Sequence, residues 1–137
     1  MSLNYESIRN LLLTQLQSVA GLPMLQLENT RIIVGNLPWC RMSLLPAEPN
    51  AISIGPNGMN EHQGLLQVDL FYGQDYGTSD ANAMAALVMA ALPRGYSAVN
   101  GAANVRITSC YQQAGNQIDR WYVVPVVFRW SSFALSQ

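Results

Sequence analysis

QGLLQVDLFY, residues 63–72, is the stretch that decides the fold. Apolar and polar side chains alternate through it, which is the period of a β-strand with one face in a core. The other face carries Gln67 and Asp69. The predicted core face carries Leu66, Val68, Leu70 and Tyr72.

Residues 118–133 predict a second, longer strand near the end of the chain. Both of its faces are apolar, and Pro125 interrupts it. Because proline has no N–H to donate to a neighbouring strand, the sequence predicts an edge strand or a bulge there. An apolar edge would pair readily with another chain. The inner face is predicted to carry Tyr122, Val124, Val126, Phe128 and Trp130.

Two further stretches have the apolar spacing of helices. In residues 4–19 the apolar side chains form one stripe, with Asn4 as the expected N-cap and Gly21 as part of the stop signal. Residues 78–92 are rich in alanine and end at Pro93. The alanines allow close approach to a sheet. The larger packing residues of this helix are predicted to be Met84, Leu87, Val88 and Leu92.

Shorter strands are predicted over residues 39–45, 51–54 and 105–112, with a hairpin connection at 113–116. The chain order is then helix, three strands, helix, two strands. It predicts an α+β fold, in which a mostly antiparallel sheet of about five strands has two helices packed on one face.

The composition narrows the function classes. A chain of 137 residues is expected to form a single domain over 1–137, although Met1, Ser2 and Leu3 resemble residues that an expression vector adds. Only 11% of the residues are charged, which favours burial of part of the surface against other subunits. All seven basic residues are arginine, so a Schiff-base lysine and a P-loop are excluded.

The charge balance and the apolar runs bear on partners and location. The net charge of -1 predicts neither sequence-specific nucleic-acid binding nor polybasic membrane contact. No apolar run reaches the length of a membrane span, and the first residues do not follow the pattern of a signal peptide. We therefore expect a cytosolic protein with reduced cysteines.

Candidate catalytic residues are few. A cysteine hydrolase would have to combine Cys40 or Cys110 with His62 and a carboxylate such as Asp69. Cys40 lies in an alternating apolar stretch, which predicts a buried structural thiol, while His62 is predicted to be a solvated loop or strand-end residue rather than a base. Asp69 and Asp119 are predicted to be solvated too. Paired metal-ligand spacing is missing, so we predict no catalytic residue, no cofactor and no metal.

Arginines and tryptophans are the remaining candidates for contacts. Arg41, Arg106 and Arg129 occupy outward positions on predicted strands. A face that carries all three would contact phosphate or a partner's carboxylates, whereas the plainer alternative is that they only solubilise it. Trp39, Trp121 and Trp130 are either interface anchors or core residues.

Five stretches together resemble one family, and their order spans nearly the whole chain. They are the helix 8–16, Leu27-Glu28-Asn29, SLLPAEP at 43–49, GLLQVDLFY at 64–72 and WYVVPV at 121–126. In this layout the chain resembles the phage tail terminator-like proteins, small prophage-encoded domains similar to the lambda-type minor tail protein U.

This resemblance implies a structural role. Subunits are expected to close into a homo-oligomeric, hexameric ring on the end of the tail tube, to stop tube polymerisation and to offer a surface to the head. The implied partners are further copies of the chain, the tail tube protein and head-tail connector proteins. The implied locations are the host cytoplasm during assembly and then the virion tail. A ring needs two different patches on each subunit.

Two alternatives stay open, and the contact residues are an expectation. One alternative is a head-tail joining (neck) component, and the other is a small-ligand binding module or enzyme. Self-association and tube binding are expected through residues 22–37, the turn 55–61 and the outward arginines, because 22–37 is long for a mere connection. The predicted interface residues are Arg41, Arg106, Arg129, Glu28 and His62.

Overall fold

Two helices and eight strands make up the described part of this computed structural model, which comprises residues 5–27, 38–46, 50–51, 59–73, 78–100, 103–118 and 120–135. The helices are α1 (Tyr5–Gln17) and α2 (Ser79–Ala91). The strands are β1 (Met24–Leu27), β2 (Trp39–Pro46), β3 (Asn50–Ala51), β4 (Met59–Gly73), β5 (Ser97–Asn100), β6 (Ala103–Gln112), β7 (Asn116–Ile118) and β8 (Trp121–Leu135).

The strands form one sheet in the order β1-β2-β4-β8-β6-β5, with β3 paired to β4 and β7 paired to β8. Every described pair is antiparallel except β1 with β2. Both helices contribute buried side chains to one face of this sheet. The predicted α+β class is therefore confirmed, and β1 and β5 add short outer strands to the expected sheet.

Strand β8 is central, so of the two alternatives predicted at Pro125, an edge strand or a bulge, the edge strand was wrong. It pairs with β4 on one side and with β6 and β7 on the other. The Gln113 amide donates to the Pro125 carbonyl at 2.9 Å. Because the nitrogen and the carbonyl of one strand residue face the same neighbour, the missing N–H of Pro125 faces the break between β6 and β7. The sheet accommodates the proline at that break.

Strands β4 and β8 form the centre of the sheet and confirm the predicted core face. Their register runs from Met59 opposite Leu135 to Gly73 opposite Trp121, and the even-numbered residues of both strands face the helices. Tyr72 and Tyr122 are half-buried at the edge of this core. The fully buried side chains from the two strands and α1 are Leu66, Val68, Leu70, Val124, Val126, Phe128, Trp130, Ile8, Leu12 and Leu16.

Helix α2 packs through small side chains. Ala81 and Ala85 are buried, which lets the helix approach the sheet closely, and Met84, Val88 and Leu92 complete the stripe. Leu87 was wrongly assigned to the core, since its side chain is 50% exposed. The buried positions recur every three or four residues from Ala81, and Leu87 falls between them.

Loop predictions were less accurate. The chain reverses between the paired residues Ile118 and Trp121, not at 113–116, so the predicted hairpin was misplaced. The strand expected at 51–54 is the pair Asn50–Ala51, and residues 52–54 lie outside the described ones. Asn4, the expected cap of α1, also lies outside them.

Candidate functional site

The sheet face turned away from the helices, called here the outer face, has an apolar cluster of its own. Trp39, Phe71, Trp121 and Val123 are all buried there and form the outer cluster. The rings of Trp39 and Phe71 stack with centroids 3.9 Å apart, and Trp121 meets Trp39 edge-on at 6.3 Å. Of the three tryptophans, Trp130 alone lies in the helix-side core.

Beside this cluster, Asp69 accepts two hydrogen bonds. Arg41 Nη2 donates to Asp69 Oδ2 at 3.0 Å, and Gln67 Nε2 donates to Asp69 Oδ1 at 2.8 Å. The Arg41 guanidinium also lies 5.4 Å from the centre of the Phe71 ring. Asp69 is only 3% exposed, so its prediction as a solvated carboxylate was wrong. The sheet register places Arg41 directly opposite Asp69.

We expect Asp69→Ala to lower the free energy of unfolding by about 1–3 kcal/mol, because the variant removes the acceptor of a buried hydrogen-bond network. We expect a loss in the lower half of this range, because the Arg41 side chain is 43% exposed and its guanidinium group can hydrogen-bond to water in the variant. Asp69→Asn keeps an acceptor of the same size and should lose less. Urea unfolding of both variants measures this, and equal losses would contradict it.

Arg106 and Arg129 are neighbours on the outer face, and Arg41 is not with them. Arg106 of β6 is paired with Ser131 of β8, two residues from Arg129. Arg41 lies on β2, and β4 separates that strand from β8. The three arginines therefore do not form one patch.

Arg106 and Arg129 line a groove on the outer face together with Glu61 and Arg94. The sequence did not predict that these two residues lie beside them. Its first part, of about 320 Å³, includes Glu61 and Arg129 in its lining, and its second, of about 480 Å³, includes Glu61, Arg94 and Arg106. Arg94 lies in the turn before β5, and Glu61 lies on β4 rather than in the predicted turn 55–61. Only the strand order brings these residues together.

His62 is not among the residues that line this groove. The even-numbered His62 is on the helix side of β4, where it is half-buried and meets the Tyr5 ring edge-on at 6.3 Å. Its prediction as a solvated residue was therefore wrong. Glu28, with residues 28–37 of the predicted contact loop, lies outside the described residues, and residues 24–27 of that loop form β1.

The two cysteines lie in different environments. Cys40 is buried, and this burial raises the pKa of its thiol from 9.0 to about 12. Cys110 is half-buried on β6. Burial also raises the pKa of Tyr72, and the charge of Asp80 adds to the effect. Within the described residues, no group of three His, Cys, Asp or Glu side chains is placed to hold a metal ion.

We expect a thiol reagent such as Ellman's reagent to leave Cys40 unmodified in the native protein at about pH 8, because the raised pKa of its thiol keeps it protonated. Native protein should react through Cys110 alone, and unfolded protein through both. The Cys110→Ser variant is the control and should not react when native.

The same pKa shift makes the stability depend on pH. Above its ordinary pKa of 9.0, the Cys40 thiol ionises first in the unfolded chain, so its contribution to stability falls as the pH approaches about 12.

Large apolar side chains are exposed mainly on the outer face. Among the described residues, only Leu87 of α2 is exposed on the helix side. The sheet register assigns the others to the outer face, namely Leu45, Val99, Tyr111, Ile118 and Phe133. Nothing in either described helix combines the length and the apolar character that crossing a membrane requires.

These features define an α+β protein with a helix-covered sheet and an outer face that combines an arginine groove with exposed apolar side chains. The sequence model of a protein family, described as phage tail terminator protein, matches residues 7–130. The chain therefore belongs to the phage tail terminator family. This is a family of structural proteins of the phage tail, whose members take part in virion assembly and interact with tail and head components.

One solved structure confirms the fold independently. It aligns with a TM-score of 0.73 over 96% of this chain and 96% of its own, at 18% sequence identity. No curated protein sequence matches the chain.

Proposed function

We propose that this protein closes into a ring of identical subunits on the end of the tail tube, where it stops tube polymerisation and offers a surface for head joining. Membership of the family supports a structural role in the tail, and the outer face supports the ring. A ring contact joins one patch of a subunit to a different patch of the next. The protein then acts through its surfaces, and no catalytic residue or cofactor is assigned to it.

The observation that carries the proposal is the placement of exposed apolar side chains. Tyr111 is 39% exposed and Phe133 41% exposed on the outer face, whereas Leu87 is 50% exposed on the helix side. Exposed apolar groups at two separate places are what a head-to-tail contact between subunits requires. The low charge of the chain, 11% of its residues, lowers the cost of burying such a surface.

Tail length measures this function. We expect tails assembled with Tyr111→Asp in place of the unmodified chain to be overlong or ragged in electron micrographs, because the new charge would be buried at the ring contact. Asn10→Asp is the matched control, since it adds the same charge at an exposed position of α1. Light scattering on the chain should show a multiple of the 15.0 kDa subunit mass as its concentration rises, and a larger mass once tube protein is added.

Two results would contradict the proposal. One is tails of normal length with Tyr111→Asp and also with Leu87→Asp, in proteins whose circular dichroism shows that they are folded. The other is a chain that stays monomeric at all concentrations with tube protein present.

A further inference from the structure

The groove on the outer face has an excess of positive charge. Arg94, Arg106 and Arg129 are all exposed, and Glu61 is the carboxylate among the lining residues. Within the described residues, none of the three arginines has a carboxylate oxygen within 4.0 Å. Their guanidinium groups are therefore available to a ligand.

Backbone bonds hold the turn that contains Arg94 beside the strand that contains Arg106. The Gly95 amide donates to the Ile107 carbonyl, and the Ile107 amide donates to the Tyr96 carbonyl, both at 2.8 Å, which holds the Arg94 turn against β6. Gly95 has a φ of +92°, a conformation that favours glycine. A site whose parts are already in place loses less entropy when a ligand binds.

A register shift in β6 also shapes the groove. It falls between Ile107 and Ser109, so Thr108 is the unpaired residue. Its hydroxyl donates to the Arg129 carbonyl at 3.3 Å, and Thr108 lines both parts of the groove. Bulges of this kind redirect side chains and are common beside binding sites.

We propose that this groove binds a carboxylate-bearing segment of a partner protein. The planar guanidinium group matches a carboxylate with two parallel hydrogen bonds. Half-buried Leu65 and exposed Phe133, which also line the groove, provide apolar contact for the rest of such a segment. As a partner contact in tail assembly, this inference rests on the proposed function and specifies the chemistry of one interface.

Charge favours protein carboxylates over a nucleic acid. A phosphate backbone carries a run of charges and is bound by an extended basic surface. Here Glu61 lies within the groove, and the whole chain has 7 basic residues against 8 acidic ones. Three arginines against one glutamate among the lining residues leave a net attraction for a short acidic segment.

The test uses the chain by itself and a blocked tetraglutamate peptide. Saturation-transfer difference NMR observes the peptide, so it tolerates weak binding and a large assembly. We expect saturable binding, and we expect Arg106→Gln and Arg129→Gln each to raise the dissociation constant about fivefold. Ala86→Glu is the matched control, because it makes the same charge change on an exposed position of α2 and should leave the constant unchanged.

Arg106→Lys and Arg129→Lys are second variants in case the glutamine variants do not fold. They keep the positive charge and remove only the planar guanidinium group. They should bind the peptide more weakly than the unmodified chain. The proposal is overturned if a tetraglutamine peptide binds equally well, or if the glutamine variants bind like the control. Displacement of the peptide by inorganic phosphate well below the peptide's own dissociation constant would identify a phosphate site and would also overturn it.

The experiments distinguish a failure of the proposed ring at the tube end from a failure of the proposed peptide site. Peptide binding that requires both arginines supports the groove even if Tyr111→Asp leaves tail length normal, a result that counts against the ring alone. Loss of tail-length control in Tyr111→Asp without any peptide binding supports the ring and overturns the groove.

Discussion

Phe128→Ala is expected to lower the free energy of unfolding by about 3–5 kcal/mol, the range for large aromatic side chains removed from a packed core. Phe128 is fully buried and lies opposite Leu66 on one neighbouring strand and Cys110 on the other. Its loss therefore leaves a cavity where β4, β8 and β6 pack against the helices. Since whole domains are stable by about 5–15 kcal/mol, the effect is a large share of the total.

Urea unfolding followed by tryptophan fluorescence measures this change as a lower midpoint with an unchanged slope. Phe133→Ala is the matched control, since Phe133 lies on the same strand with its side chain 41% exposed on the outer face. It should cost less than about 1 kcal/mol, as surface substitutions do. A loss as large as that of Phe128→Ala would contradict the assignment of faces along β8.

Alternation was the strongest signal in the sequence, and it placed the helix-side core correctly. Leu66, Val68 and Leu70 face the helices as predicted, because a strand with one buried face restricts its polar residues to the other. The same rule did not predict that the outer face is also partly buried. Asp69 was predicted to be solvated on that face, and only the pairing with β2 shows that Arg41 lies beside it.

Pro125 shows why the strand order was not predictable. A proline without an N–H is typical of an edge, yet here it lies on the central strand where the neighbour changes from β6 to β7. That break depends on how residues 113–115 run beside β8, which is set by tertiary structure and cannot be read from local sequence. The four-residue strands β1 and β5 were missed for a related reason, since so short a stretch has too few positions to show a period.

The candidate site was predictable in part. Outward positions on strands identified Arg106 and Arg129 one at a time, and their proximity follows from the pairing of β6 with β8. Arg94 lies in a turn, so no alternation of apolar and polar residues predicted its position. The backbone bonds from Gly95 and Tyr96 to Ile107 hold this turn beside the groove. A residue's face is a local property of a strand, whereas a binding site is made by residues that are distant in the chain.

Trp39→Ala is expected to cost about 3 kcal/mol or more, because it removes the ring at the centre of the outer cluster. Trp39 is 6% exposed and contacts both Phe71 and Trp121. Offset-stacked and edge-on ring pairs contribute about 0.5–1.5 kcal/mol beyond the area they bury. The cluster is built on β2, β4 and β8, so its loss should weaken the outer side of the sheet's centre.

Trp39→Phe is the comparison that isolates the stack. It keeps a ring against Phe71 and removes Nε1, which is buried without a hydrogen-bond partner among the described residues, so it should cost less than about 1.5 kcal/mol. A double-mutant cycle with Phe71→Leu measures the coupling directly. If Trp39→Ala instead cost no more than Phe133→Ala, the outer cluster would contribute little to the isolated chain.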